Sequence, residues 1–297
     1  MKKQVLMCAP FNTRSGYGDH ARSIFYSIMD REDLEIKCVD VRWGETPRNH
    51  LDPKIPKHKK LLDTFVDGKN LQQPDIYIDI RIPNEFQTPG KVNIGITAGV
   101  ETTVVSPEFI QGCNQMNLNL ATSKFTMNTF QKCKYDQRQN VNGQEQVVGT
   151  VELQKPIAVL SEGIDTTVYK PIKDAGKSDD PFKKEIYDLI KENFVYLHVG
   201  QWGKGRYGED RKNIALMIKC FIQAFANQPS PPALLLKTNG ANFSHLDKAD
   251  IIKKIEREKD KFKSADSLPN IYLLHGDLTL EQMALLYNLP KIKAMLS

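Results

Sequence analysis

Val195-Tyr-Leu-His-Val-Gly-Gln-Trp-Gly-Lys-Gly-Arg-Tyr-Gly-Glu-Asp-Arg-Lys-Asn213 runs from an apolar strand through a glycine-rich loop into a helix that opens with Arg211 and Lys212. A strand, loop and helix in that order is a way to hold a phosphate. Gly200, Gly203, Gly205 and Gly208 allow close backbone approach and positive φ, and the first helical N–H groups and the positive end of the helix dipole favour an anion. Arg211 and Lys212 would add charge-assisted hydrogen bonds. Ile214, Met217, Ile218, Phe221, Ile222 and Phe225 fall on one helical face, so the helix, read from Asp210 to Ala226, is a buried one. A basic pair beside glycines is also what a solvated loop contains, and the segment alone does not separate the two readings.

Working outward from this unit, the same alternation of strand and helix recurs on both sides. Upstream, strands are expected at Lys3 to Ala9, Leu34 to Val41, Ile76 to Ile80, Lys91 to Thr97, Asn117 to Ala121 and Ile157 to Leu160, with helices at Gly16 to Met29, Pro107 to Cys113 and Ser123 to Lys132. Arg42 to Lys60, with Pro47, Pro53 and Pro56, reads as a long loop, and the polar stretch Lys134 to Gln154 reads as a mobile insertion. Downstream, Phe194 to Val199, Ala233 to Thr238, Ile271 to His275 and Ile292 to Leu296 alternate with helices at Asp210 to Ala226, Asp247 to Lys263 and Thr279 to Tyr287. Alternating elements imply parallel sheets covered by helices. The expectation is an α/β protein of two Rossmann-like domains, 1–165 and 166–297, facing a cleft, with ligands beyond the carboxyl ends of the strands. Because the chain stops just after a strand, the second domain is expected to be incomplete.

At 297 residues, 40% apolar and 26% charged, the chain fits a soluble two-domain protein, and it has no apolar run near the roughly 18 residues of a membrane span. A cytoplasmic location is the expectation. Five cysteines without a C-x-x-C pair argue against a disulfide framework or a zinc site, and Cys8, Cys38 and Cys220 lie in apolar patterns suited to buried thiols. The net charge of +5 is mild, and lysines alternate with acids along 253–261 as on a solvated helix face. No nucleic-acid partner is expected; peripheral contact with a membrane surface is compatible with the charge.

In the loop Asn12-Thr-Arg-Ser-Gly-Tyr-Gly-Asp-His-Ala-Arg22, Gly16 and Gly18 at a helix start permit approach to a ligand, while Ser15 or Asp19 would serve equally as an ordinary cap. The pattern is not G-x-G-x-x-G, and Asp40 at the end of the second strand keeps only a weak dinucleotide reading. His20 and Arg22 are expected to face solvent. His198 and His275, within apolar strands, read as packed histidines. Glu101-Thr-Thr follows a strand, as does Gly276-Asp-Leu278, where Asp277 is either a ligand contact or a helix cap.

The combination of Ser161-Glu-Gly-Ile-Asp-Thr-Thr-Val-Tyr-Lys-Pro171, Val199-Gly-Gln with Arg211-Lys-Asn213, and Asn270-Ile-Tyr-Leu-Leu-His-Gly-Asp-Leu278 with Leu285-Leu-Tyr287 resembles the family 4 retaining glycosyltransferases of the GT-B fold. Ser15-Gly-Tyr-Gly18 is similar to that family's glycine loop near the transferred sugar and acceptor. Gly99-Val-Glu-Thr and Leu120-Ala-Thr-Ser-Lys-Phe125 are similar to its Glu-Thr and Pro-Ser-x-Phe segments.

The resemblance implies transfer of a sugar from a nucleoside-diphosphate sugar to a hydroxyl acceptor, with retention at the anomeric carbon. It implies that Lys212 grips the donor diphosphate, with Arg211 beside it. Where many relatives have an arginine after the strand glycine this chain has Gln201, and Arg206 is the substitute cation. It further implies donor or sugar contacts at Gly16, Tyr17, Gly18, Gly200, Lys237, Asp277 and Leu278, a catalytic-site role for Glu101, no metal, and no cofactor besides the donor substrate. Relatives continue into a helix bearing two glutamates that this sequence lacks. The competing expectation is therefore an inactive or split transferase, a nucleotide-binding module whose second domain a partner chain completes.

Overall fold

Short apolar runs become the strands of two parallel sheets, in a computed structural model that describes residues 2–69, 71–98, 100, 102–141, 144–177, 179–203 and 209–297. The chain divides into two compact units, Met1–Gly163 and Ile164–Ser297.

The first unit comprises β1 (Lys3–Ala9), α1 (Gly16–Ile28), β2 (Leu34–Asp40), α2 (Pro56–Leu62), β3 (Ile76–Ile80), β4 (Val92–Thr97), α3 (Pro107–Gln115), β5 (Leu118–Ala121), α4 (Lys124–Lys132), β6 (Lys134–Val141), β7 (Gln144–Glu152) and β8 (Ile157–Val159). Its main sheet is parallel throughout, in the order β2-β1-β3-β4-β5-β8. Period-two alternation splits its strands between two cores. Val5, Met7 and Ala9 join Ala21 and Phe25 of α1 on one face, and Leu6, Cys8 and Tyr77 form a smaller cluster on the other. Strand order reverses between β1 and β3, which makes the space beyond their carboxyl ends the switch point of this sheet.

The second unit comprises α5 (Pro181–Leu189), β9 (Val195–Val199), α6 (Ile214–Phe225), β10 (Ala233–Lys237), α7 (His245–Lys259), β11 (Ile271–Leu273), α8 (Leu280–Asn288) and β12 (Ile292–Met295). Its parallel sheet runs β11-β10-β9-β12, so the switch point lies between β9 and β12. Val195, Leu197, Ala233 and Leu235 pack on Ile186 of α5 and Leu285 and Leu286 of α8. Tyr196, Leu234 and Leu236 pack on Ile218 and Ile222 of α6 and Ile251 and Ile255 of α7. Truncating one of the fully buried leucines, such as Leu235, removes about 2–5 kcal/mol by transfer and cavity terms.

Four expectations change. The stretch 134–154 contains an antiparallel hairpin, β6 with β7, rather than a mobile insertion. It carries few apolar residues because most of it is exposed on both sides; only near its base do Tyr135 and Val151 pack beside Ile110 and Cys113 of α3. The loop Arg42 to Lys60 gives way to a helix at Pro56, with proline in the first turn where no N–H is needed. Cys220 is exposed on the outer side of α6, whereas Cys8, Cys38 and Cys113 are buried. Burial pushes the Cys38 and Cys113 thiols up to about 12, which leaves them inert near neutrality. Finally α6 begins at Ile214, not Asp210. Among the described residues no helix is long and apolar enough to cross a membrane.

Candidate functional site

The carboxyl crest of the second sheet carries most of the residues singled out in the sequence. Leaving β9, the chain passes Gly200, whose N–H donates to Lys237 O (3.2 Å), and Trp202, whose N–H donates to Asn239 O (2.8 Å). The loop thus runs alongside the continuation of β10. The Gln201 side chain also serves this contact, its Nε2 donating to Gly240 O at 2.6 Å. Trp202 is buried, with the Lys254 ammonium 5.6 Å from its ring centroid. A Cβ on Gly200 would sit 3.0 Å from His198 Nε2, so the glycine lets the strand end close over the imidazole.

His198 itself is 1% exposed. Its Nδ1 lies 2.9 Å from Leu296 O, across the switch point; a carbonyl only accepts, so Nδ1 holds the proton and Nε2 is a bare lone pair. That Nε2 is buried with no hydrogen-bond partner among the described residues. Burial lowers the His198 pKa, and the Lys212 charge lowers it further, against opposing effects of Leu296 O and Asp210, so the ring is neutral near pH 7.

Arg211 and Lys212 lie in a turn ahead of α6 rather than in its first turn. The reason is Asn213, which adopts a left-handed conformation (φ 49°), together with Asp210, which is buried. Asp210 accepts from Lys212 N (3.1 Å) and Ile214 N (2.6 Å) and thereby occupies part of the helix N-terminus with the chain's own carboxylate. The expected anion site on open helical N–H groups is corrected accordingly: the first of those groups is already bonded. The side chain of Lys212 is exposed, and among the described residues its ammonium makes no hydrogen bond or ion pair.

Lys237, at the end of β10, donates to Gly276 O at 2.6 Å and lies 5.6 Å from the Phe243 ring centroid. Gly276 has φ 124°, a region that residues other than glycine rarely enter. Beyond it Asp277 is exposed and Leu278 packs on the core. The cap of α8 is Thr279, in a reciprocal capping box with Gln282, so Asp277 is not the cap.

A network that the sequence reading did not single out joins these turns. Asp247, in the first turn of α7, accepts from the N–H groups of Gly240 (2.9 Å), Ala241 (2.7 Å) and Asn242 (3.4 Å) and from His275 Nε2 (2.9 Å). Burial alone would raise its pKa, but the hydrogen bonds from His275 and those three amides together hold the carboxyl below its ordinary range. Serine at 244 followed by aspartate at 247 signals a helix start; nothing local signals a histidine 28 residues on.

At the carboxyl crest of the first sheet the polar groups bond to one another. Ser15 caps α1 by accepting from Gly18 N (3.1 Å), and its hydroxyl meets that of Thr13 at 2.7 Å. Gly16 is open, and a Cβ added there would meet nothing within 4 Å, whereas a Cβ on Gly18 would lie 2.5 Å from Thr13 O. The Tyr17 hydroxyl contacts Thr97 Oγ1 (3.0 Å) and accepts from Ala98 N (3.0 Å), and its ring packs 4.3 Å from that of Trp43. Asp40 accepts from Asn12 N and Arg48, a commitment to the loop rather than to a ribose.

His20 and Arg22 are buried, not solvent-facing. The Arg22 guanidinium donates to Phe11 O, Thr13 O and Asp19, holding the loop over the helix. Both ring nitrogens of His20 lack a partner among the described residues, and burial lowers its pKa against the opposing charge of Glu162. At the end of β3, buried Asp79 accepts from Tyr77, Arg81 and the N–H of Gln87, a cluster foreshadowed only by the two-residue spacing of Asp79 and Arg81. Glu101 and Arg206 lie outside the described residues. Among those described, no group of three or more His, Cys, Asp or Glu side chains could hold a metal.

No family model matches the sequence, and no curated protein matches it. Solved structures do. The UDP-forming α,α-trehalose-phosphate synthase of Burkholderia xenovorans superposes with a TM-score of 0.54 at 10% identity, over 97% of this chain and 77% of that one. A synthase structure from the same organism in complex with glucose-6-phosphate gives 0.51 at 9% identity, over 96% and 77%. The N-terminal domain of the Candida albicans trehalose-6-phosphate phosphatase gives 0.50 at 14% identity, over 97% and 77%. At such identities the likeness is one of fold: this chain has the α/β fold of parallel sheets and helices that matches GT-B glycosyltransferases.

Proposed function

We propose that the protein is a retaining glycosyltransferase of the family 4 type, which moves a sugar from a nucleoside-diphosphate sugar to a hydroxyl acceptor. The observation that carries this reading is the exposed Lys212 ammonium, set beside Gly200 and the neutral His198 at the switch point of the second sheet. In the reaction the bond from the anomeric carbon to the β-phosphate oxygen breaks, the bond to the acceptor oxygen forms on the same face, and the acceptor proton passes to the departing diphosphate. A cation aimed at that diphosphate stabilises the charge as it develops. Lys212 takes this role, with Arg206 or Arg211 as second cation. The family resemblance implies donor contacts at Lys237, Asp277 and Leu278, and sugar or acceptor contacts at Gly16, Tyr17, Gly18 and Glu101.

A synthase of the same fold is named as UDP-forming, so UDP and UDP-glucose are the first probes. Titration of the full chain with UDP is expected to show binding that Lys212→Ala weakens about tenfold or more. Turnover of the sugar nucleotide in the presence of a hydroxyl acceptor should fall by about 10²–10³ in that variant, the usual cost of losing one preorganised group that stabilises developing negative charge. Wild-type turnover by Lys212→Ala would remove the diphosphate role.

A further inference from the structure

At the opposite end of the second sheet, before the amino ends of β9, β10 and β11, lies a cavity of about 670 Å³. It is about 17 Å, one five-residue strand, from the crest described above. Three aromatic rings line it. Phe194 is 44% exposed, 5.1 Å from Tyr196, which is in turn 5.8 Å from Phe225; Pro231 adds a further apolar surface. Such an arrangement leaves an aromatic face open to a flat apolar partner.

The polar part of the lining is planar and preoriented. Glu192 accepts from Asn270 Nδ2 on one carboxylate oxygen (2.6 Å) and from the Tyr272 hydroxyl on the other (3.1 Å). Each oxygen keeps a lone-pair site for a second donor, because an ionised carboxylate accepts about four hydrogen bonds. A pyranose ring offers what these walls lack: a face of axial C–H groups for the aromatic ring and a rim of hydroxyl donors for a carboxylate and amide. A nucleotide fits less well, since among the described residues the only lining cation, Lys191, stands next to Glu192 and leaves no surplus charge for phosphate.

We propose that this cavity is a saccharide-binding site, taking a neutral sugar unit with Phe194 as the stacking platform and Glu192 as the hydroxyl acceptor. It is separate from the diphosphate site and does not depend on the role of Lys212. On a transferase it would hold a distal unit of a glycan.

The test uses saturation-transfer-difference NMR on the full chain with maltotriose, cellotriose and mannotriose, and with decaproline as the competing peptide chemistry. At least one trisaccharide is expected to bind with a Kd on the order of 1 mM, weakened about tenfold by Phe194→Ala and severalfold by Glu192→Gln, and unchanged by Lys212→Ala. Phe194 is half exposed and Glu192→Gln is isosteric, so the second variant reads the site even where the first perturbs folding. The proposal is overturned by no transfer to any of the three sugars at about 10 mM, by equal affinity in both pocket variants, or by decaproline binding in their place.

Discussion

The loop after β1 and the loop after β9 have the same plan, a strand leading through glycines to a helix, yet their polar groups are used differently. In the first unit the loop is bound to itself and to its helix: Thr13 and Ser15 pair, Ser15 caps α1, and Arg22 reaches back to two loop carbonyls. In the second unit the capping carboxylate, Asp210, is buried, and the cation two residues later is left at the surface. One loop uses its charge to hold its shape and the other presents it. On the proposed function Lys212 serves activity, whereas Arg22 serves stability by holding the loop carbonyls, and each role can be tested by removing the side chain. Lys212→Ala should cost the proposed activity its factor of about 10²–10³ with an unchanged melting temperature, because an exposed side chain with no described partner adds little to folding.

Arg22→Leu should do the reverse. It strands the carbonyls of Phe11 and Thr13 in a buried position, and each unsatisfied buried group costs about 1–3 kcal/mol. A loss on the order of 3 kcal/mol in urea unfolding of the first unit is expected, and UDP affinity should persist wherever the second unit remains folded. An unchanged urea midpoint would mean that the loop is not held by this guanidinium.

The two glycines of α1 sharpen the point at smaller scale. Gly18→Ala forces a Cβ to within 2.5 Å of the Thr13 carbonyl, which is backbone and cannot swing away, so a loss of about 1–3 kcal/mol follows from overpacking. Gly16→Ala meets nothing within 4 Å and should be neutral or stabilising by up to about 1 kcal/mol, through the helix preference of alanine. Thermal melts of the two variants side by side decide it, and equal losses would refute a steric origin.

How much of this was legible in the sequence follows from what each element buries. Strands such as 76–80 and 233–237 are covered on both faces and therefore read as apolar runs with sharp ends. The start of α6 is easily misplaced from sequence because Asp210 looks like an N-cap; it does bond the helix start, but from three residues outside, across the left-handed Asn213. The hairpin is hidden because most of its two strands is exposed, with apolar packing confined to its base at Tyr135 and Val151. Burial of Arg22 goes with the loop at 11–13 folding over α1, a tertiary effect without local periodicity. The Asp247 to His275 contact joins two elements far apart in sequence, and only the fold brings them together.

Acid should separate the two units by a last, smaller effect. In the first unit burial lowers the pKa of His50 to about 3, helped by Arg22, Arg14 and His58, and burial lowers His20 and His58 as well. A histidine unperturbed in the unfolded chain titrates near 6.5, so below that pH the unfolded state binds protons that the folded unit refuses. Stability of the first unit therefore falls as pH drops below about 6.5, down to about 3 for His50, and by less than the roughly 1.4 kcal/mol per pH unit of a fully buried group, because His50 and His58 keep contact with screening solvent. In the second unit His198 acts in the same direction, while the lowered Asp247 contributes stability that is lost only below about pH 4, where the unfolded carboxyl protonates. The chain has two tryptophans, Trp43 in the first unit and Trp202 in the second, so Trp202→Phe and Trp43→Phe each leave a reporter on one unit. Urea titrations followed by fluorescence between about pH 7 and about pH 4.5 should show the Trp43 midpoint falling faster than the Trp202 midpoint. Parallel decline of the two would mean that the first unit's histidines are not held neutral by burial, and the closed packing inferred for its loop would fail with them.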